Sequence, residues 1–191
     1  MNRASPTTAA LSARLHRLVA ACLVFCAGCA SSTTSINGLW LDSARPRAPL
    51  GKTLVVALLR DPKVAAALER EWVRQLRAHG VDATPTEALA PGVRPTSREA
   101  VVELVRLHGF ASVLVSKLLD VKQAGRDDAA SQVAVVENKL YDAHSGEPFW
   151  SAQTDTFVAG ASGEEVKRPG GDLIQAFVET LIAEMVKAKL L

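Results

Sequence analysis

Hydrophobic positions recur along the chain with two different periods, and the switches between them predict its elements. Thr53-Leu-Val-Val-Ala-Leu-Leu59 is a continuous apolar run of strand length, which fits a strand buried on both faces. Asp61 then offers an N-cap and Pro62 a first helical position. Val64, Leu68, Trp72 and Leu76 follow at spacing four and form one helical face, with Glu69, Arg70, Arg74 and Arg77 elsewhere on the helix, and Gly80 ends it. Val81–Thr84 is a short strand, and 85–95 is a loop with three prolines. Thr96-x-x-Glu99 is a capping box opening a second helix through Val101, Leu104, Val105 and His108, stopped by Gly109. Three strands follow, at 111–121, 132–142 and 148–158. Gly125–Asp128 turns the chain between the first two, and the loop Ala143-His-Ser-Gly146 joins the second pair. After a polar loop, Asp172 caps a last helix whose face is Ile174, Phe177, Val178, Leu181 and Met185.

The expected fold is therefore α/β, in the order β-α-β-α-β-β-β-α. Crossovers make the first three strands parallel, and hairpins add the last two antiparallel. Numbered along the chain, those strands form a mixed five-stranded sheet in spatial order 2-1-3-4-5, packed with helices. Ala78-His-Gly-Val81 and Leu107-His-Gly-Phe110 are one helix-ending device used twice, a Gly cap with a His at the negative helix end. The core is expected to hold Leu54, Val56, Leu58, Trp72, Leu76, Leu104, Leu114, Leu118, Trp150, Phe177 and Leu181.

The first 28 residues follow neither period. Arg14 and Arg17 precede an 11-residue apolar and small stretch from Leu18 to Gly28, too short to span a bilayer, which takes roughly 20 residues. This is the layout of a secretion signal. Its end, Cys26-Ala27-Gly28-Cys29, resembles the bacterial lipobox, with Cys26 where Leu is usual. The resemblance implies cleavage before Cys29, a diacylglyceryl thioether on its sulfur, and a new amine open to acylation by a chain such as palmitate. Ala30 and Ser31 follow in place of the Asp that retains lipoproteins in the inner membrane. The implied location is the periplasmic side of the outer membrane, held through the lipid anchor. Residues 1–28 are thus expected to be the signal, 29–50 a tether rich in Ser, Thr and Pro, and 51–191 a single periplasmic domain. Ile36, Leu39, Trp40 and Leu41 interrupt the polarity of the tether. They either pack back on the domain as an N-terminal arm, the favoured reading, or meet a partner.

Composition sharpens this picture. The 191 residues carry 22 Lys+Arg and 20 Asp+Glu. Removing the three arginines of the signal leaves 19 basic residues and a near-neutral body, without the basic stripe that nucleic-acid binding requires. All three cysteines, Cys22, Cys26 and Cys29, fall in or directly after the signal. The mature domain is left with no thiol for catalysis or metal ligation. Gly51-Lys-Thr53 lacks the earlier Gly of a phosphate loop and precedes a strand where that motif precedes a helix. His79, His108 and His144 show no metal-ligand spacing, and the body has no Gly-x-Ser-x-Gly elbow or Ser-x-x-Lys pair. No catalytic residue, cofactor or metal is expected.

Two surfaces remain. Glu137, Lys139 and Tyr141 share one face of a strand with Val133 and Val135, a polar-apolar mix that fits a partly covered sheet face or a partner surface. Together with Trp40 they are the candidate partner-binding residues. The competing candidate is a small envelope hydrolase using His144 with the loop carboxylates Asp127, Asp128, Glu164 and Glu165. The segment Leu140–Ala152, an aromatic-Trp hairpin, is similar to one found in periplasmic lipoproteins. With the Thr53–Leu59 strand and the closing helix, residues 50–190 resemble an uncharacterised family of small proteobacterial lipoproteins. They are more distantly similar in element order to domains of the CsgG, LpoB and TolB N-terminal type. Those groups act by protein–protein contact, which implies an envelope protein partner here without naming it.

Overall fold

The computed structural model describes residues 32–44, 48–92, 94–95, 97–124, 131–158 and 169–191. The signal, Cys29 and the loop acids Asp127, Asp128, Glu164 and Glu165 lie outside them, as do Thr96 and the turn at 125–128.

The elements are β1 (Ser32–Leu41), β2 (Thr53–Leu58), α1 (Pro62–Ala78), β3 (Ala83–Pro85), α2 (Thr86–Leu89), α3 (Arg98–His108), β4 (Ser112–Ala124), β5 (Ser131–Asp142), β6 (Pro148–Val158) and α4 (Gly171–Lys187). They build one mixed sheet of six strands in the order β1-β6-β5-β4-β2-β3. β2 is parallel to β3 and β4, and every other pairing is antiparallel. The expectation of five strands and three helices is corrected on two points. Ser32–Leu41, assigned to the tether, is a full edge strand on β6, and a short helix, α2, forms within the proline loop. The compact unit accordingly runs from Ser32 to Leu191.

β1 escapes a periodicity reading because it is bulged. Its register with β6 shifts between Ile36 and Gly38, which leaves Asn37 as the extra residue. Ile36 and Leu41 pack against the core, while Leu39 and Trp40 stay about half exposed. Packing on the domain therefore holds for Ile36 and Leu41 and not for Leu39 and Trp40.

Local chemistry explains the helix ends. The Asp61 carboxylate accepts from the backbone N–H groups of Lys63 and Val64 at 2.8 and 3.3 Å, with Pro62 opening α1. At the far end Val81 N–H donates to Leu76 O and Phe110 N–H to Val105 O, the same closure after α1 and α3. Each passes through a glycine with positive φ, Gly80 and Gly109. Ser97 is the N-cap of α3, its hydroxyl accepting from Ala100 N–H at 3.2 Å, one residue on from the capping box expected at Thr96. Gly170 occupies the N-cap of α4, which moves Asp172 from the expected cap into the first turn, where its charge still favours the helix dipole.

α1 and α4 cover one sheet face. Their side chains enclose Val55, Leu114, Leu140, Trp150 and Ala152 around Trp72, Leu76, Phe177 and Leu181. α3 lies on the opposite face over Leu54, Val56, Val113 and Phe110, and buries none of its own residues fully. The expected core holds except at Leu58, which is 40% exposed where β2 ends, and at Leu104 and Leu118, which are only partly buried. No helix among the described residues is long and apolar enough to cross a membrane.

Trp72 is completely buried, whereas Trp40 is 48% exposed on the edge strand. Truncating a buried Trp removes its transfer free energy and leaves a cavity, a loss of about 3–5 kcal/mol out of roughly 5–15 available. In a soluble chain starting at Ala30, Trp72→Ala is expected to lower the urea unfolding midpoint sharply and Trp40→Ala only slightly. The reverse ranking would refute the packing described here.

Candidate functional site

Sheet register assembles the candidate surface. Trp40 of β1 stands opposite Ser151 of β6. Ser151 stands opposite Lys139 of β5, and Lys139 opposite Val115 of β4. The next row on the same face runs Gly38, Gln153, Glu137, Lys117. Residues two apart on a strand share a face and directly paired residues share a side. Trp40, Glu137 and Lys139 thus lie on one surface, with Trp40 and Lys139 separated by one intervening strand. Tyr141 belongs to the same face but packs, partly buried, against the cluster under α3. Tyr141 is the covered margin of this surface; Trp40 and Gln153 are exposed on it.

The surface is polar and internally paired. Lys139 Nζ contacts Glu137 Oε1 at 2.7 Å, and both side chains are about one-third exposed. The Glu137 carboxylate bonding to it holds the Lys139 ammonium above the usual lysine range. The surface thus combines a paired carboxylate and ammonium on one strand with an indole two strands away.

A second feature was not visible in the chain's periodicity. Glu69, off the apolar face expected for α1, is completely buried. Its Oε1 accepts from Ala57 N–H at 3.0 Å and from Arg94 Nη1 at 3.2 Å, and its Oε2 from Thr86 N–H at 3.1 Å. The Thr86 hydroxyl lies 2.8 Å from both oxygens. Each of these donors offsets part of the cost of desolvating a carboxylate. Beside this node a groove of 470 Å³ opens, lined by Pro62, Lys63, Ala66, Arg70, Glu87 and Arg94 among others. Its charges are largely answered internally: Arg94 by Glu69, and Arg70 by Glu87 at 3.4 Å. The only sequence signal for Glu69 was a carboxylate one residue from the apolar stripe of α1.

The other candidates sit apart. His144 lies exposed in the β5–β6 turn, where its N–H and that of Ser145 donate to Asp142 Oδ1 at 2.9 Å, an Asx turn completed by Gly146 at φ 73°. The carboxylates proposed as its partners lie outside the described residues. His79 is the exposed C-cap of α1. The His108 carbonyl accepts from Lys52 Nζ at 2.8 Å, and that ammonium stands 4.9 Å over the Phe110 ring. The lysine of Gly51-Lys-Thr53 is thereby occupied in tying β2 to the end of α3. Among the described residues no group of three or more His, Cys, Asp and Glu is placed to hold a metal ion.

No protein-family model matches the chain, and no curated protein does. Solved structures do. The fold is distantly similar to that of PelC from Paraburkholderia phytofirmans, solved as a dodecamer, at 19% identity over 79% of this chain and 97% of PelC (TM-score 0.46). It is similar to the lipoprotein GNA1162 from Neisseria meningitidis at 17% identity over 71% of this chain and 99% of the other (TM-score 0.46). The LpoB C-terminal domain from Escherichia coli matches at 19% identity over 58% and 86% of the two chains (TM-score 0.37). Similarity at this level concerns the fold alone, and no residue role passes from these proteins to this one.

Removing the Glu69 carboxylate strands the buried N–H groups of Ala57 and Thr86, at about 1–3 kcal/mol for each unsatisfied donor, while Arg94 is one-quarter exposed and can turn to water. Glu69→Ala is expected to reduce the urea midpoint by a corresponding amount, while Glu103→Ala, which removes an exposed pair with Arg106, leaves it unchanged. Equal midpoints for the two variants would show that the Glu69 node is dispensable.

Proposed function

We propose that this chain is an outer-membrane lipoprotein facing the periplasm, anchored through Cys29, and that it acts without catalysis as a docking module for an envelope protein. The observation that carries the docking role is the half of one sheet face that no described helix covers. There β5, β6 and β1 present Trp40, Gln153 and the Glu137–Lys139 pair. An antiparallel sheet commonly leaves one face to water, and such a face is then polar, but this one also keeps an exposed indole, Trp40. Here no described helix covers that half, and aromatic area stands beside paired charges, the mixture of a polar rim with an indole anchor that protein interfaces use.

The anchor rests on the charged, apolar, Cys29 order of the N-terminus. Two or three acyl chains hold a protein to a bilayer where one does not, at about 0.8 kcal/mol per buried CH₂. Radiolabelled palmitate fed to cells is expected to mark the wild-type protein and not Cys29→Ser. Equal labelling of both would remove the lipoprotein reading.

Docking is tested separately. A photo-crosslinking residue at Gln153, exposed on the uncovered face, is expected to yield a discrete heavier species on illumination of living cells. The same residue at Glu179, on the outer side of α4, is expected to yield none. Adducts from position 179 with none from 153 would place the partner on the helical side and overturn this assignment.

A further inference from the structure

We infer that the end of the sheet formed by Ser32, Gln132 and Gln123 stands against the lipid headgroups, with the His144 turn directed away from the bilayer. The inference rests on the anchoring reading above and adds an orientation to it. Only Ala30 and Ser31 separate Cys29 from the first residue of β1. Three Cα steps span at most about 11 Å even when fully extended. A lipidated cysteine carries its acyl chains in the hydrocarbon, so its backbone sits among the headgroups. The start of β1 is therefore confined to their immediate neighbourhood. Of the segment expected as a tether, Ser32–Leu41 is built into the sheet.

Register extends this restraint from one residue to a whole edge. Ser32 pairs with Val158, Val158 with Gln132, and Gln132 with Gln123, a single row across four strands. Gln123, at the other end of that row, lies three strand spacings, about 14 Å, from Ser32. The opposite row is Leu41, Trp150, Leu140 and Leu114. It lies nine residues further along β1, about 30 Å at the usual strand rise. The His144 turn stands beyond it.

The side chains near the anchored end fit this placement. The next row on the uncovered face is Thr33, Phe157, Val133 and Lys122. It brings an exposed lysine and a half-exposed aromatic to headgroup level, where cations meet lipid phosphates and aromatic rings settle at the interface. The uncovered face as a whole carries Lys117, Lys122 and Lys139 against Asp120, Glu137 and Asp155. With no net charge, it is not drawn flat onto an anionic leaflet. An upright sheet also holds Trp40, one residue from the upper row, well clear of the lipid and open to a soluble or membrane-borne partner.

The test uses the full-length protein, processed in a Gram-negative cell and reconstituted in vesicles of phosphatidylethanolamine and phosphatidylglycerol containing a headgroup spin-labelled lipid. The processed chain retains no cysteine other than Cys29, so Gln123→Cys and His144→Cys each accept a single fluorophore. Intact mass first establishes lipid on Cys29. The label at 123 is expected to be quenched several-fold more strongly than that at 144. A long Gly/Ser insertion between Ser31 and Ser32 is expected to abolish the difference. A protein without lipid on Cys29 defeats the anchored reading and this inference with it. A lipidated protein whose two labels are quenched alike, or in the reverse order, overturns the orientation and leaves the anchor standing.

Discussion

The Glu69 carboxylate is the interaction on which the arrangement of layers depends. It takes the N–H of Ala57 near the end of β2, the N–H and hydroxyl of Thr86 where α2 begins, and the guanidinium of Arg94 before α3. Three segments distant in sequence are thereby fixed to one side chain on α1. A buried carboxylate tolerates no slack, because each missing donor exposes part of a large desolvation cost. One turn further along α1, Trp72 Nε1–H donates to Ser116 Oγ at 3.1 Å, and that hydroxyl donates to Asn138 Oδ1 at 2.7 Å. Apolar packing alone would permit α1 to slide over the sheet. These two polar contacts give it a register on β2, β4 and β5.

With α1 and α4 fixed on one face, α3 is the one described helix on the other, and it packs on β2, β4 and the margin at Tyr141. β4, β5 and β6 are 13, 12 and 11 residues long, far beyond what an 11-residue helix at one side can shield. Among the described residues, the surface left open follows from the ratio of strands to helices. Its polar side chains and the Glu137–Lys139 pair keep that surface soluble. The two edges of the sheet are protected by different means. β3 is only three residues long and ends in Pro85, which has no N–H to offer, while β1 is rich in Ser and Thr and broken by its bulge.

What could be read in the chain was whatever depends on neighbours in sequence. Asp61-Pro62, Gly80, Gly109 and Gly146 act where they stand, through capping and positive φ, and the apolar run of β2 reflects burial on both faces. The common face of Glu137, Lys139 and Tyr141 follows from a period of two. What escaped depends on partners far away in sequence. The burial of Glu69 needs Thr86 and Arg94, and on a helical wheel it is merely a charge beside a stripe. The strand Ser32–Leu41 needs β6, whose backbone hydrogen bonds do not discriminate among side chains. α2 is a single turn inside a proline-rich loop, too short to leave a period.

The bulge at Asn37 decides what the candidate surface is made of. In an unbroken strand Ile36 faces the core, and strict alternation would put Trp40 inward with it while Leu39 and Leu41 faced the open side. The extra residue inverts the pattern beyond it. Ile36, Leu39 and Leu41 stand opposite Thr154, Ala152 and Trp150 on the core side, and Trp40 stands opposite Ser151 on the open side. A rigid indole with a hydrogen-bonding edge thus stands on the face of Lys139 where an unbroken strand would have put two aliphatic side chains. The same insertion hid the strand from periodicity, because it breaks the alternation by which strands are recognised. The residue that made β1 illegible is the one that joins Trp40 to Glu137 and Lys139.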